Sequence, residues 1–172
     1  MKLLLTYLII GFLASNPAEE KKVKQTISGT ITASGSYCGG VAPSNEMLQN
    51  AQAKRPMSGF MVYVKKGTEN KLLSCIVDSA CTDSNGNYSF DLKPGKYVLL
   101  QKEQLNKDVY KTYEASKWLQ ADVDCMKLWW EKGLSIITVE NENIDSLNFH
   151  FQKRCFVPLS IPCLRYSGPY PP

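Results

Sequence analysis

The sequence predicts a mainly β chain: a seven-stranded Greek-key β-sandwich with one docked α-helix and a Pro-rich C-terminal tail. Three observations carry this. Short runs rich in β-branched and aromatic residues recur along the chain, separated by Gly, Pro, Asn and Ser turns. A single stretch, near 114–132, changes from alternating to helical spacing. No repeat of solenoid period is present. The 172 residues, 44% hydrophobic and 21% charged, have the balance of one globular domain with a real core. That composition excludes a disordered or collagen-like chain and two large domains. A net charge of +4, spread along the sequence, gives no basic patch for nucleic acid.

The elements follow in order. From Val23 to Ser34, apolar Val23, Ile27, Ile31 and Ala33 alternate with Lys24, Thr26, Ser28, Thr30 and Thr32, the pattern of a half-buried strand. A Gly- and Ser-rich stretch through Gly39 and Gly40 leads to a short helix over Glu46–Ala51, signalled by Pro43 and Ser44 and ended before Pro56. Phe60–Lys65 and Leu72–Val77 read as two strands apolar on both faces, hence buried, joined by a turn at Gly67–Asn70. Thr82–Asn87 turns the chain into the alternating strand Tyr88–Leu92, and Lys93–Gly95 turns it again into Lys96–Gln101.

Beyond that hairpin, Ala115, Trp118, Leu119, Asp122, Val123, Met126, Trp129 and Trp130 fall at steps of three and four, with Gly133 placed to stop the run. One helix of four to five turns is expected there. Leu134–Val139 and Ser146–Gln152 return to strand character, and in the second Leu147, Phe149 and Phe151 oppose Asn148 and His150. Pro158, Pro162, Pro169, Pro171 and Pro172 make the tail loop or extended chain.

The N-terminus indicates a destination. Lys2 followed by the apolar run Leu3–Ala14 and a polar stretch has the form of an export signal, too short to span a membrane. The expected division is a signal peptide at 1–18, a sandwich at 19–157 carrying the helical insertion near 114–132, and the tail at 158–172. Six cysteines, Cys38, Cys75, Cys81, Cys125, Cys155 and Cys163, agree with an oxidising, secreted or periplasmic cell-envelope location. Fifteen connectivities are open to them. The short spacings favour Cys75 with Cys81 and Cys155 with Cys163, leaving Cys38 for Cys125.

The segment Thr82-Asp83-Ser84-Asn85-Gly86-Asn87-Tyr88-Ser89-Phe90-Asp91-Leu92-Lys93-Pro94-Gly95-Lys96-Tyr97-Val98-Leu99, preceded by Ile27–Ile31 and the Phe60–Val64 strand, resembles the carboxypeptidase regulatory-like domains. These are transthyretin-like, or prealbumin-like, β-sandwiches of immunoglobulin-like architecture. The resemblance covers about 23–101, with an insertion around 35–57. It implies a non-catalytic module of an exported or cell-surface protein and carries no catalytic residue onto this chain. The helix, the cysteines and the Pro-rich tail depart from the simple pattern.

Chemistry-bearing constellations are few. Asp78, Asp83 and Asn85 around Gly86 offer oxygen ligands, but the spacing is not that of an EF-hand. His150 is the only histidine, which excludes a multi-histidine metal site or a histidine-dependent serine triad within one chain. Asp122 and Asp124 point to divergent sides of a helix. Lys24 and Asn148, in first and last strands, are the pair an isopeptide bond would need. No metal site, cofactor or catalytic residue is expected. The candidate binding surface is Trp129 and Trp130 with Tyr166 and Tyr170 of the tail, for a protein or carbohydrate partner at the cell surface. The reading is a disulfide-stapled, non-enzymatic binding or structural module. Its alternatives are a thiol-redox or metal-binding protein using the cysteines, or a protease inhibitor presenting the Cys155–Cys163 loop.

Overall fold

The computed structural model describes residues 23–114, 116–158 and 161–169. The segment read as an export signal and Tyr170 lie outside the described residues. The chain is mainly β, and two sheets enclose one core. The first is centred on β1 (Gln25–Gly35), whose N-terminal half pairs antiparallel with β5 (Asn87–Leu92) and whose C-terminal half pairs with the short β2 (Arg55–Pro56). Its other edge is taken by β9 (Phe149–Lys153), which runs parallel to it from Ile31↔Phe149 to Gly35↔Lys153. The second sheet is antiparallel throughout, in the order β4 (Ile76–Cys81), β3 (Met61–Lys66), β6 (Gly95–Gln101), β8 (Ser135–Val139).

Alternation decides what these sheets enclose. Ile27 and Ile31 of β1 with Tyr88, Phe90 and Leu92 of β5 meet Val62 and Val64 of β3, Tyr97 and Leu99 of β6, and Ile137 and Val139 of β8. Each such fully buried side chain is worth roughly 1.5–3 kcal/mol relative to exposure. The expected β5–β6 hairpin does not form: β6 pairs with β3 and β8 in the second sheet, so the Lys93–Gly95 turn carries the chain from one sheet to the other, while β5, paired with β1, follows its alternating sequence pattern residue by residue. In the turn before it, Asp83 Oδ1 accepts the Asn85 and Asn87 backbone N–H groups, both at 2.8 Å, and Oδ2 accepts Asn87 Nδ2 at 3.1 Å. Those bonds hold the Asp83 carboxyl below its ordinary pKa, Asn87 first among the causes. The carboxylate that suggested an ion ligand is used to shape the turn. Gly86, at φ +77°, sits where a Cβ would strike the Ile31 carbonyl.

Strand β6 is buried on both faces. Tyr97 and Leu99 face the main core, while Val98 and Leu100, each at 0% exposure, lie under Gly133 on the other side. That second side carries a smaller layer built from α2 (Lys111–Glu114), β7 (Leu119–Ala121), α3 (Val123–Lys132) and β10 (Leu164–Tyr166), the two strands pairing antiparallel. Its own core is Val109, Met126, Val157, Ile161, Cys163 and Leu164. The remaining helix, α1 (Asn45–Gln52), is capped by Ser44 as its sequence predicts.

Several expectations need correction. Ten strands are described, not seven, the additions being β2, β7 and β10. The single helix near 114–132 is replaced by α2, a strand and the ten-residue α3. Leu119, Met126 and Trp129 are apolar because all three face the second core, but Leu119 reaches it from a strand. The break comes at Asp122, whose Oδ1 caps α3 by accepting from Cys125 N–H at 3.0 Å. The strand expected at Leu72–Val77 begins at Ile76, and Leu72 and Leu73 are exposed in the preceding loop. The tail is not all loop, since Leu164–Tyr166 pairs with β7. Asn148 Oδ1 accepts from Thr30, six residues from Lys24, so strand spacing of about 3.3 Å per residue separates the supposed isopeptide pair.

The disulfides are Cys38–Cys155 and Cys125–Cys163, with Cys75 and Cys81 as thiols. None of the three pairings favoured by spacing forms. Parallel β1 and β9 leave the first sheet side by side at Gly35↔Lys153, which sets Cys38 and Cys155 next to each other just beyond. Cys163 adjoins β10, and its carbonyl accepts from Asp122 N–H at 3.0 Å, beside the first turn of α3 that holds Cys125. Cys75 and Cys81 stand at opposite ends of extended β4.

Two outcomes follow. Replacing both Cys38 and Cys155 by Ser opens a closure with a sequence separation of 117 and lowers stability by about 4–5 kcal/mol in the chain-entropy account, read by chemical denaturation. Tyr88, whose hydroxyl donates to the Leu147 carbonyl at 2.6 Å, is held protonated by burial well above the ordinary tyrosine value of 10.0. Above that value the unfolded chain loses this proton and the folded chain keeps it, so stability falls as pH rises. Tyr88→Phe loses about 1 kcal/mol at neutral pH and shows a shallower alkaline decline in urea titrations; an unchanged slope contradicts the assignment.

Candidate functional site

The site is built around a buried strand lysine. Lys65 is 5% exposed, and its Nζ donates to Asn70 Oδ1 at 2.9 Å and to the Lys71 carbonyl at 3.0 Å. Burial pushes its pKa below the ordinary 10.5. Asn70, 2% exposed in the loop between β3 and β4, is the hub. Its Nδ2 donates to the Gln104 carbonyl at 2.7 Å and to the Trp130 carbonyl at 3.1 Å, and its backbone N–H donates to the Glu131 carbonyl at 2.7 Å. Gln104, fully buried after β6 in the 3-10 turn Lys102–Leu105, donates from Nε2 to the Trp129 carbonyl at 2.6 Å.

The last carbonyls of α3 are thus satisfied from the sandwich. A helix leaves about four such carbonyls without intrahelical partners, and here Asn70 and Gln104 take those of Trp129, Trp130 and Glu131. Gly133, at φ +67°, ends the helix and donates its N–H to the Trp129 carbonyl at 3.2 Å. The Lys65 ammonium lies one hydrogen bond behind this helix C-terminus, where positive charge is favoured.

Asn70 of this clamp lines a cleft of about 530 Å³. The loop Glu69–Leu72 makes one wall, Lys107, Asp108 and Tyr110 a second, and Lys127, Trp130 and Glu131 of α3 the third. Trp130 is half-buried, and its ring N–H has no hydrogen-bond partner among the described residues. Three acidic and three basic side chains line the cleft, so its charge is balanced. Lys71 pairs with Glu69 at 4.0 Å; Asp108 and Lys127 pair outward with Lys111 and Asp124 at 3.4 and 3.5 Å.

Of the residues singled out from the sequence, Trp130 alone lines this cleft. Trp129 turns the other way, packs against the second core and borders a separate cleft with Phe151 and Pro162. Tyr166 belongs to β10, packs against Phe156 in a tilted pair at 4.8 Å between ring centroids and donates its hydroxyl to the Pro169 carbonyl at 2.9 Å. Tyr170 lies outside the described residues. Cys75 and Cys81 are too far apart on β4 to act as a dithiol pair, and Cys155 and Cys163 bond to different partners, so no disulfide of its own closes the loop between them. His150 Nδ1 and Nε2 are 3.0 Å from the hydroxyls of Thr32 and Ser34, on the exposed side of the first sheet. Among the described residues no group of three His, Cys, Asp or Glu could hold a metal ion.

Sequence reasoning missed Asn70, Gln104 and Lys65. One signal was available: a lysine at the end of an otherwise apolar strand run needs a partner if the strand is buried.

No family model matches the chain, and no curated protein does. Two solved structures align with it. A "putative carbohydrate binding protein" of Pseudomonas aeruginosa aligns over 77% of this chain and 91% of its own, at 14% identity and a TM-score of 0.35. A minor pilin of Streptococcus agalactiae aligns over 81% of this chain at 12% identity and a TM-score of 0.36; the chain spans 48% of that protein's length.

Asn70→Ala removes the hydrogen bonds to two carbonyls and leaves the buried Lys65 ammonium with the Lys71 carbonyl alone of its two partners. A loss of about 2–4 kcal/mol in urea unfolding is expected. A loss below about 0.5 kcal/mol, the size of an ordinary surface change, contradicts the clamp.

Proposed function

We propose that the chain is an exported, non-enzymatic binding module of the cell envelope and that the Trp130 cleft takes a neutral polyhydroxylated ligand, a carbohydrate. The single observation that carries the ligand class is the composition of the cleft: an indole and a phenol set among equal numbers of acidic and basic groups. A flat aromatic face gives a sugar ring stacking area at small entropic cost. Paired ions at the rim supply both acceptors and donors for hydroxyls, and their charges cancel, which gives no preference to a strongly charged ligand.

Export is supported by the two disulfides, which persist in oxidising compartments. Among the described residues no helix is long and apolar enough to cross a membrane. The transthyretin-like, carboxypeptidase regulatory-like form of the sandwich is supported by the two facing sheets and by the Asp83–Asn87 turn that leads into alternating β5.

The test is titration of the full chain with a panel of neutral oligosaccharides, read by calorimetry and tryptophan fluorescence. Saturable binding that Trp130→Ala weakens at least tenfold, and that Trp118→Ala leaves unchanged, is the expected result. Binding indifferent to Trp130, or none across the panel, overturns the ligand reading.

A further inference from the structure

The outward side of the β7–β10 pair borders a second cleft, of about 440 Å³, whose charge is not balanced. Leu164 and Tyr166 of β10, with Leu119 and Ala121 of β7, face the second core. Successive strand residues point to opposite faces, so Arg165 and its register partner Gln120 point the other way and are exposed. Asp122 and Cys125 at the start of α3 form the adjoining wall, and Arg154 reaches the cleft from just past β9.

Two guanidinium groups thus line one cleft, and among the described residues neither is ion-paired; the ion pairs there belong to Lys71, Lys111 and Lys127. Arg154 is held in place. Its Nη2 donates to the Ile161 and Pro162 carbonyls, both at 2.9 Å, which fixes the plane of the group and leaves Nε and Nη1 without a partner among the described residues. The wall that carries Arg165 is braced as well, because the Cys125–Cys163 disulfide ties the first turn of α3 to the residue before β10. One carboxylate opposes the two cations, that of Asp122, and its Oδ1 is already engaged by the Cys125 N–H at 3.0 Å. The positive end of α3 therefore offsets part of that charge.

The donor set selects the ligand. A carboxylate has two oxygens, which a single guanidinium satisfies by two parallel bonds. Two guanidinium groups beside the Gln120 amide call for more acceptors than that, arranged around one centre. We propose that this cleft binds a tetrahedral oxyanion, a phosphate or sulfate group, between Arg154 and Arg165. A bare ion fills only a small part of the space, so the group is carried on a larger molecule. The Trp130 cleft, with its cancelling charges, is a separate site, and neither reading depends on the other.

The experiment titrates the isotope-labelled full chain with inorganic phosphate, inorganic sulfate and acetate at matched ionic strength, followed by nuclear magnetic resonance. The expected result is a saturable shift of the Gln120 side-chain amide and of the Arg154 and Arg165 Nε–H signals with phosphate or sulfate, and binding of acetate at least about tenfold weaker. Whichever of phosphate and sulfate binds more tightly identifies the group, and either supports the proposal. Arg154→Ala also removes two bonds that hold the Ile161–Pro162 segment, so the exposed Arg165 is the residue to change. Arg165→Ala weakens binding at least about tenfold, the effect of losing a charge-assisted hydrogen bond, and unchanged signals from Met126 and Leu164 in the second core check that it folds. Asp122→Asn keeps a capping side chain, removes the opposing charge and tightens binding. Acetate bound as tightly as phosphate and sulfate overturns the proposal. So do affinities that neither Arg165→Ala nor Asp122→Asn alters, shifts that do not saturate, or shifts centred on residues outside the cleft.

Discussion

The C-terminus of α3 is the constraint on which the rest of the molecule depends. Its terminal carbonyls are covered by protein on the side of the second sheet, and carbonyls removed from water without partners cost as much as lost hydrogen bonds. Asn70 and Gln104 supply the partners from two connections of the sandwich, and Lys65 supplies the charge behind them. The consequence is mechanical. A small layer with its own core is fixed on the outer face of β6 by directional bonds as well as by the apolar contact of Val98 and Leu100.

That attachment explains why β6 is apolar on consecutive positions while β5 alternates strictly. One sheet face meets the main core, the other meets the layer carrying α3, and a central strand between them has no face left for water. The two disulfides divide the same work. Cys38–Cys155 ties the exits of parallel β1 and β9, and Cys125–Cys163 ties α3 to β10 inside the smaller layer. Neither crosses from one layer to the other, so the junction itself is held by the Asn70 and Gln104 clamp, by Arg154 just past β9, which donates to the Ile161 and Pro162 carbonyls, and by packing. The Trp130 cleft opens at this junction, with walls from both layers, and a site built on such rigid supports presents its side chains in one geometry.

Much of the fold was legible in local pattern. Tyr88, Phe90 and Leu92 alternate with polar residues because one face of β5 is buried, and Asp83 and Gly86 mark their turn by chemistry that acts over a few residues. Ser44 announces α1 in the same way. The candidate site was legible only through Trp130. A Trp pair on a helix must diverge, so one ring was bound to sit nearer the rim, but which one depended on where the helix docks. Spacing misled where two different elements share a core: Leu119, Met126 and Trp129 keep helical intervals although a strand and a cap intervene.

By itself, then, the sequence determined the alternating strands, the turns and the caps, because each of these rests on interactions between residues close together. Only the tertiary structure decided the parallel pairing of β1 with β9, the disulfide partners that follow from it, the role of Asn70 and Gln104, and the exposure of β4. Those depend on contacts between segments far apart in the chain, such as Ser34 with Gln152 or Asn70 with Glu131, and no local periodicity encodes which distant partner a strand edge or a helix end will meet.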